Sequence, residues 1–158
     1  MSFYRAFVKP LVMRLPPETA HHMAVSVLKN APCCFPADNI PECPVTVWGK
    51  KFPRPLGLAA GFDKDAEAVA GLSRLGFGFL ELGTVTPKPQ PGNDKPRIFR
   101  DKKTHSLINR MGFPGKGVEE FRKSLGRHQP FSVPIGINIG KNKRTETAEG
   151  VFSLRPPK

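Results

Sequence analysis

The chain has 158 residues, with 25 Lys and Arg against 13 Asp and Glu for a net charge of +12, enough for one modest domain and too short for a complete (β/α)8 barrel of about 250 residues. Hydrophobic residues make up 39% and include 12 Phe, which excludes a disordered basic tail, and the 15 Gly and 18 Pro bring many turns without low complexity. No apolar run approaches the roughly 18 residues of a membrane span, no signal-peptide pattern opens the chain, and Cys33, Cys34 and Cys43 lack the C-x-x-C spacing of a zinc site or a disulfide framework.

From the N-terminus, Phe3, Tyr4, Phe7, Val8, Leu11, Val12 and Leu15 fall on one helical stripe, with Arg5, Lys9 and Arg14 off it. Pro10 is expected to kink or restart this helix, and Pro16 and Pro17 to end it and open a second. In that second helix Ala20, Met23, Ala24, Val27 and Leu28 keep helical spacing. The stripe has two readings, a helix packed on its own domain or an amphipathic element lying in a membrane interface. Pro32, Pro36, Pro41 and Pro44 mark a linker, which sets a boundary near residue 40 between a helical pair (1–40) and the rest (41–158).

Val45 to Trp48 and Lys51 to Phe52 flank Gly49 as a short hairpin. Leu56 to Ala60 is a continuous apolar run suited to a strand buried on both faces, followed by a helix over Ala66 to Leu75 and a strand over Phe77 to Val85. A loop rich in Pro and Lys leads to a helix over Gly117 to Leu125 and a strand over Val133 to Ile139. The order β-α-β-loop-α-β predicts three parallel strands of an α/β fold.

The polar residues gather at the carboxyl ends of these strands: Gly61-Phe62-Asp63-Lys64, Gly83-Thr84-Val85-Thr86 and Asn138-Ile139-Gly140-Lys141-Asn142. Ligands bind at that edge of parallel α/β architectures. Lys64 directly after an apolar strand suits a cation that neutralises an anionic ligand or a developing negative charge. For Asn109 and Arg110, in Leu107 to Phe113, an Asx-turn and a ligand contact fit equally well. Gly76-Phe77-Gly78 precedes its strand and reads as a helix-to-strand turn, and Gly136 to Lys141 has the wrong spacing for a P-loop. His21, His22, His105 and His128 have no carboxylate at ligand spacing, so no metal site is expected. Charge counted over 1–60, 61–100 and 101–158 is +4, +1 and +7, so the basic excess lies at the two ends. No RNP, KH, zinc-finger or helix-turn-helix signature accompanies it.

Gly57 to Lys64, Glu81 to Asn93, Leu107 to Phe113 and Gly136 to Asn142, together with Leu15-Pro16-Pro17-Glu18-Thr19-Ala20-His21, resemble the quinone-dependent (class 2) dihydroorotate dehydrogenases. The resemblance implies the N-terminal part of a (β/α)8 TIM barrel, preceded by a small amphipathic two-helix membrane-associating segment. It implies an oxidoreductase and flavoprotein of pyrimidine biosynthesis, oxidising dihydroorotate to orotate with FMN as cofactor and a membrane quinone as acceptor. Ala60, Gly61, Lys64, Thr84 and Asn138, with Phe62 and Asp63 between them, match the cofactor-binding positions. Lys64 and Asn109, Arg110, Met111, Gly112 and Phe113 match the substrate-binding segment, and His21 and Arg100 match the quinone tunnel. The family's serine base stands in an Asn-x-Ser-Ser-Pro-Asn segment after the Gly136 to Asn142 motif, and this chain stops before it, so no catalytic residue is assigned. Pro114-Gly115 stands where the family usually has asparagines. On this reading the chain is truncated and needs a complementary C-terminal fragment. It is expected on the cytoplasmic face of a bacterial inner membrane, because no Arg- and Ser-rich presequence precedes the helices, with the mitochondrial inner membrane as the alternative. The competing reading is a non-catalytic basic remnant that binds a membrane surface or nucleic acid.

Overall fold

The computed structural model of the chain describes residues 4–35 and 41–145. The expected boundary near residue 40, the side chains of Phe3 and Tyr4, and everything from Glu146 onward lie outside that description. A π-helical turn, Tyr4–Val8, runs into a short helix α1 (Lys9–Val12). Pro10 sits in the first turn of α1, so it restarts the helix, because a missing N–H costs nothing there. Pro17 opens α2 (Pro17–Asn30) in the same way.

The inward face of helix α2 is rotated from its apolar stripe and shares Leu28 with it, Ala20 and Ala24 lying at intermediate burial. Glu18 and Leu28 are buried and Val25 packs against the core, while Met23 and Val27 are about half exposed at 50% and 52%. On α1 and the turn before it, Phe7 and Leu11 are largely exposed.

The hairpin forms as expected, with β1 (Val45–Val47) antiparallel to β2 (Lys50–Phe52). Its turn is Trp48-Gly49, both at positive φ (51° and 73°), the backbone that matches the twist of the flanking strands. Trp48 stands out of this tip at 94% exposure.

The expected strand over Leu56 to Ala60 is only partly realised. It makes a single parallel bridge, Leu58 to Leu80, although its backbone bonds continue along β3 (Leu80–Val85) from Gly78 N–H to Leu56 O (2.8 Å) through Gly61 N–H to Gly83 O (2.7 Å). It is not buried on both faces either, since Leu56 is 69% exposed. Pro53 and Pro55 interrupt its approach, and the Phe79 ring lies so close over Gly57 that a Cβ there would fall 2.2 Å from it. On the other side of β3, β6 (Ile135–Ile139) pairs in parallel from Leu80 opposite Ile135 to Val85 opposite Ile139. The predicted parallel order therefore holds, with β3 in the middle.

The helix expected over Ala66 to Leu75 shrinks to α3 (Val69–Ser73). The Asp63 carboxylate takes the N–H groups of Glu67 (2.9 Å) and Ala68 (2.8 Å), and Ala66 has a φ of 53°. That turn uses up the residues that would have formed the first helical turn. Helix α3 crosses α2 closely at Gly71, where a Cβ would lie 2.3 Å from the Leu28 carbonyl oxygen. The core lies between these helices, β3 and α4 (Val118–Gly126), and consists of Leu28, Val69, Leu72, Leu80, Leu82, Val85, Phe121 and Val133 with Ala66 and Ala68.

The Pro- and Lys-rich loop contains a second hairpin, β4 (Ile98–Asp101) against β5 (Ser106–Asn109). Among the described residues no helix is long and apolar enough to cross a membrane.

Candidate functional site

The backbone bonds that tie residues 56–63 to β3 bring the carboxyl end of that segment beside the end of β3. A cleft of about 390 Å³ opens there, walled by Ala60, Gly61, Lys64 and Thr84 on the strand side and by Asn93 and residues 109–114 on the loop side. Four of the residues assigned to the cofactor, Ala60, Gly61, Lys64 and Thr84, thus share one cavity with the residues assigned to the substrate.

Lys64 is half buried and its ammonium donates to the Gly61 carbonyl at 2.5 Å, closing its own turn. Burial pushes its pKa below the usual lysine value, against the opposing pull of Asp65 and Glu18. Thr84 is the extra residue where the β3–β6 register shifts between Gly83 and Val85, a bulge that re-aims a side chain at a strand end. Its hydroxyl donates to Asn138 Oδ1 at 2.6 Å, and Asn138 Nδ2 donates to Glu81 Oε1 at 3.3 Å. Asn138 therefore supports the cleft through Thr84 from the neighbouring strand.

On the loop side Asn109 Oδ1 accepts the Met111 N–H at 2.9 Å, an Asx-turn. The Arg110 guanidinium donates to Pro96 O at 3.1 Å and lies over the Phe99 ring at 5.7 Å. Met111 is buried at 6% exposure. Gly112 and Phe113 both have positive φ (72° and 51°), and the Phe113 side chain is left 55% exposed on the cleft wall.

Phe62, Asp63 and His21 lie on a neighbouring cleft of about 400 Å³ that shares Lys64, Met111 and Pro114 with the first. Asp63 is 2% exposed and both its oxygens serve the backbone of Glu67 and Ala68. Burial raises its pKa, and those two N–H groups pull the other way. The rings of His21 and Phe62 meet edge to face at 5.1 Å. Burial, then the nearby Lys64 charge, push the His21 pKa down to about 4. Arg100 lines a third cleft, of about 370 Å³, with Lys9, Met13 and His105. It donates to Leu15 O at 2.7 Å and holds the turn between α1 and α2. His21 and Arg100 thus open onto different cavities.

Several residues that sequence reasoning passed over hold this arrangement. Glu18 and Arg97, 9% and 7% exposed, form a buried ion pair at 2.7 Å between α2 and the loop before β4. The hydrogen bond from Arg97 is the main cause that keeps the Glu18 carboxyl below the usual carboxylate range. Asn142 and Gln90 tie the loops around the cleft together. The available signal was local: Gln90 stands between Pro89 and Pro91, so it supplies the backbone N–H that neither neighbour has.

The cleft joins a cation, a hydroxyl and amides at strand ends with small residues that leave room beside them. That donor set suits a flat, electron-rich ring with a negative charge on or near it. A family model for dihydroorotate dehydrogenase matches residues 43–155. Relatives named dihydroorotate dehydrogenase (quinone) from Shewanella halifaxensis and Methylococcus capsulatus are each 48% identical, covering 94% and 96% of this chain. The matched region is 44% and 46% of those relatives, so the chain spans under half their length. Two solved structures of DHODH from Eimeria tenella, one in complex with ferulenol and one ligand-free, superpose with a TM-score of 0.75 at 44% identity. Each covers 84% of this chain, with the match taking up 38% and 39% of the solved chains.

Proposed function

The chain belongs to the dihydroorotate dehydrogenase family, and on that premise we propose that it carries the cofactor- and substrate-facing part of a quinone-dependent enzyme that oxidises dihydroorotate to orotate in pyrimidine biosynthesis. The observation that carries this reading is the convergence of Lys64, Thr84 and residues 109–113 on one cleft at the strand ends. FMN fits these residues. Lys64 is a cation for the electron-rich edge of its ring, Thr84 and Asn138 are hydrogen-bonding partners, and Ala60 and Gly61 admit a close approach. At Gly61 an added Cβ would meet nothing within 4 Å. When bound there, FMN would supply hydride-accepting, two-electron redox chemistry between the dihydroorotate and quinone couples.

The side chains of the chain itself bind and orient. Lys64 neutralises negative charge at the junction of cofactor and substrate. Asn109 and Arg110 offer amide and guanidinium donors to the substrate's carboxylate and ring carbonyls. Met111 and Phe113 present apolar surface that keeps water from the reacting face. The proton that leaves the substrate needs a base, and no residue of this cleft is assigned that role. The base and the rest of the cofactor site are assigned to the part of the relatives beyond the matched region, joined to this chain or supplied as a complementary C-terminal fragment.

The quinone is assigned to the side nearest the helices, where His21 and Arg100 line two separate clefts of this chain, and the exposed Phe7 and Leu11 favour peripheral contact with a membrane surface. The cytoplasmic face of a bacterial inner membrane is the proposed location. The test is the visible absorption spectrum of the purified chain, desalted after incubation with FMN, followed by titration with orotate. Retained flavin in about equal amount, with a spectrum that shifts on adding orotate, is expected for this reading. A chain that retains no flavin and binds no orotate overturns it.

A further inference from the structure

The loop side of the cleft is tied to the loop that follows β6 by one residue that does not line the cleft, Gln90. The backbone N–H and carbonyl of Gln90 exchange hydrogen bonds with those of Gly115, both at 3.0 Å. Its Nε2 donates to the carbonyls of Phe113 (2.9 Å) and Gly112 (3.3 Å). Its Oε1 accepts from Asn142 Nδ2 and from the Lys143 N–H, each at 3.0 Å. Asn142, 7% exposed, is fixed in turn by the N–H and carbonyl of Lys88.

The two carbonyls that Gln90 holds belong to the two consecutive residues with positive φ. Glycine takes that conformation freely, whereas Phe113 takes it only at an energetic cost that its surroundings must offset. A straightened loop would carry the Phe113 ring off the wall, while Asn109 stays paired with Ile98 in the second hairpin.

We propose that Gln90 is a positioning residue for the substrate: it holds Gly112 and Phe113 in their twisted form, facing an anionic pyrimidine, and anchors them to the loop that follows β6. This assignment rests on the dehydrogenase reading for its ligand and on the hydrogen-bond pattern for its geometry. Two variants separate the two ends of the side chain. Gln90→Glu keeps an acceptor for Asn142 and Lys143 but loses both donations to Gly112 and Phe113. Gln90→Met, similar in length, loses both sets.

Amide hydrogen exchange on the full chain is the first readout, and orotate affinity by equilibrium titration is the second. In Gln90→Glu, exchange at Met111 and Gly115 is expected to rise about tenfold while Lys143 stays protected, and in Gln90→Met all three rise by that order. Amides of β3 and β6 are expected to keep their wild-type rates in both. Orotate binding should weaken about threefold to tenfold in Gln90→Glu and further in Gln90→Met. Wild-type exchange at Met111 and Gly115 in the variants overturns the proposal, as does an equal rise throughout β3 and β6, which would mark a contribution to global stability alone. Unchanged orotate affinity in both variants overturns it too. A wild-type chain that binds no orotate overturns the dehydrogenase reading instead, and the exchange pattern still decides whether Gln90 holds the loop.

Discussion

Replacing Glu18 by Gln removes the negative half of a buried pair while keeping the shape of the side chain. The Arg97 guanidinium reaches that carboxylate through Nη2 (2.7 Å) and Nε (3.2 and 3.3 Å to its two oxygens), and its Nη1 donates to the carbonyls of Pro91 (2.6 Å) and Asn93 (2.9 Å). Breaking a buried pair by deleting one partner costs about 3–5 kcal/mol. Glu18→Gln retains an acceptor oxygen, so its expected cost is at the lower end, about 3 kcal/mol. Arg97→Met also strips two loop carbonyls of their donor and leaves the carboxylate with Lys95 at 3.5 Å and His22 at 3.6 Å, on side chains exposed enough to contribute little, which puts its expected cost near the upper end, about 4–5 kcal/mol. The double variant should fall short of the sum by about 1.5 kcal/mol or more. Because the folded-state pKa of Glu18 is depressed, the pair's contribution is complete above the ordinary value of 4.5 and fades as pH falls through the lower folded value. Glu18→Gln should therefore flatten the acid limb of the stability profile. Urea unfolding followed by far-ultraviolet circular dichroism, at pH 7 and at steps below it, measures all of this. A Glu18→Gln cost under about 1 kcal/mol, or strict additivity in the double variant, would refute the reasoning.

Asp63→Ala leaves the buried N–H of Ala68 and the partly buried N–H of Glu67 without acceptors and should cost about 2–4 kcal/mol in the same unfolding assay, a loss under about 1 kcal/mol counting against the capping role. The His21 ring should stay neutral until about pH 4 in a nuclear magnetic resonance titration. Its contribution to stability is then full above the ordinary value of 6.5 and lost as pH falls from there towards 4, and a midpoint near 6.5 would contradict the buried contact with Phe62. Gly71→Ala drives a Cβ to within 2.3 Å of the Leu28 carbonyl oxygen, a backbone atom that cannot swing aside, and should cost about 1–3 kcal/mol in thermal unfolding. A stabilised Gly71→Ala chain would mean that α2 and α3 can separate without loss.

The elements legible in the sequence are those with a pattern contained in a few adjacent residues. Apolar runs mark β3 and β6, Gly49 marks the first hairpin, and Pro17 marks the start of α2. The second hairpin escaped because its turn lacks glycine. The Asp101 carboxylate makes that turn by accepting from the Lys103 N–H and the Thr104 hydroxyl, each at 2.8 Å, while His105 takes the positive φ of 52°. Leu107 and Ile108 of β5 are more than half exposed, so no alternation of buried and exposed residues announced the strand. The inward face of α2 was hidden for a different reason. Glu18 is its most significant inward residue, and a charged side chain points inward only because Arg97, 79 positions further on, meets it there. The ends of the strands identified Lys64 and Thr84 as candidates, because small and polar residues there are visible one segment at a time. The flanking Pro89 and Pro91 single out Gln90 locally, but its partners lie 22 to 53 positions away and no adjacent residues name them.

The Trp48-Gly49 turn also governs how this chain can be observed. Trp48 is the chain's one tryptophan and is 94% exposed in the folded state, so its indole is already hydrated before any denaturant is added. Intrinsic fluorescence should barely change as the core melts, and an emission trace would make a cooperative transition look absent. The same property makes the hairpin tip a clean optical reporter of contact: a blue shift on mixing with any partner would locate that partner at this end of the molecule, against an otherwise quiet background.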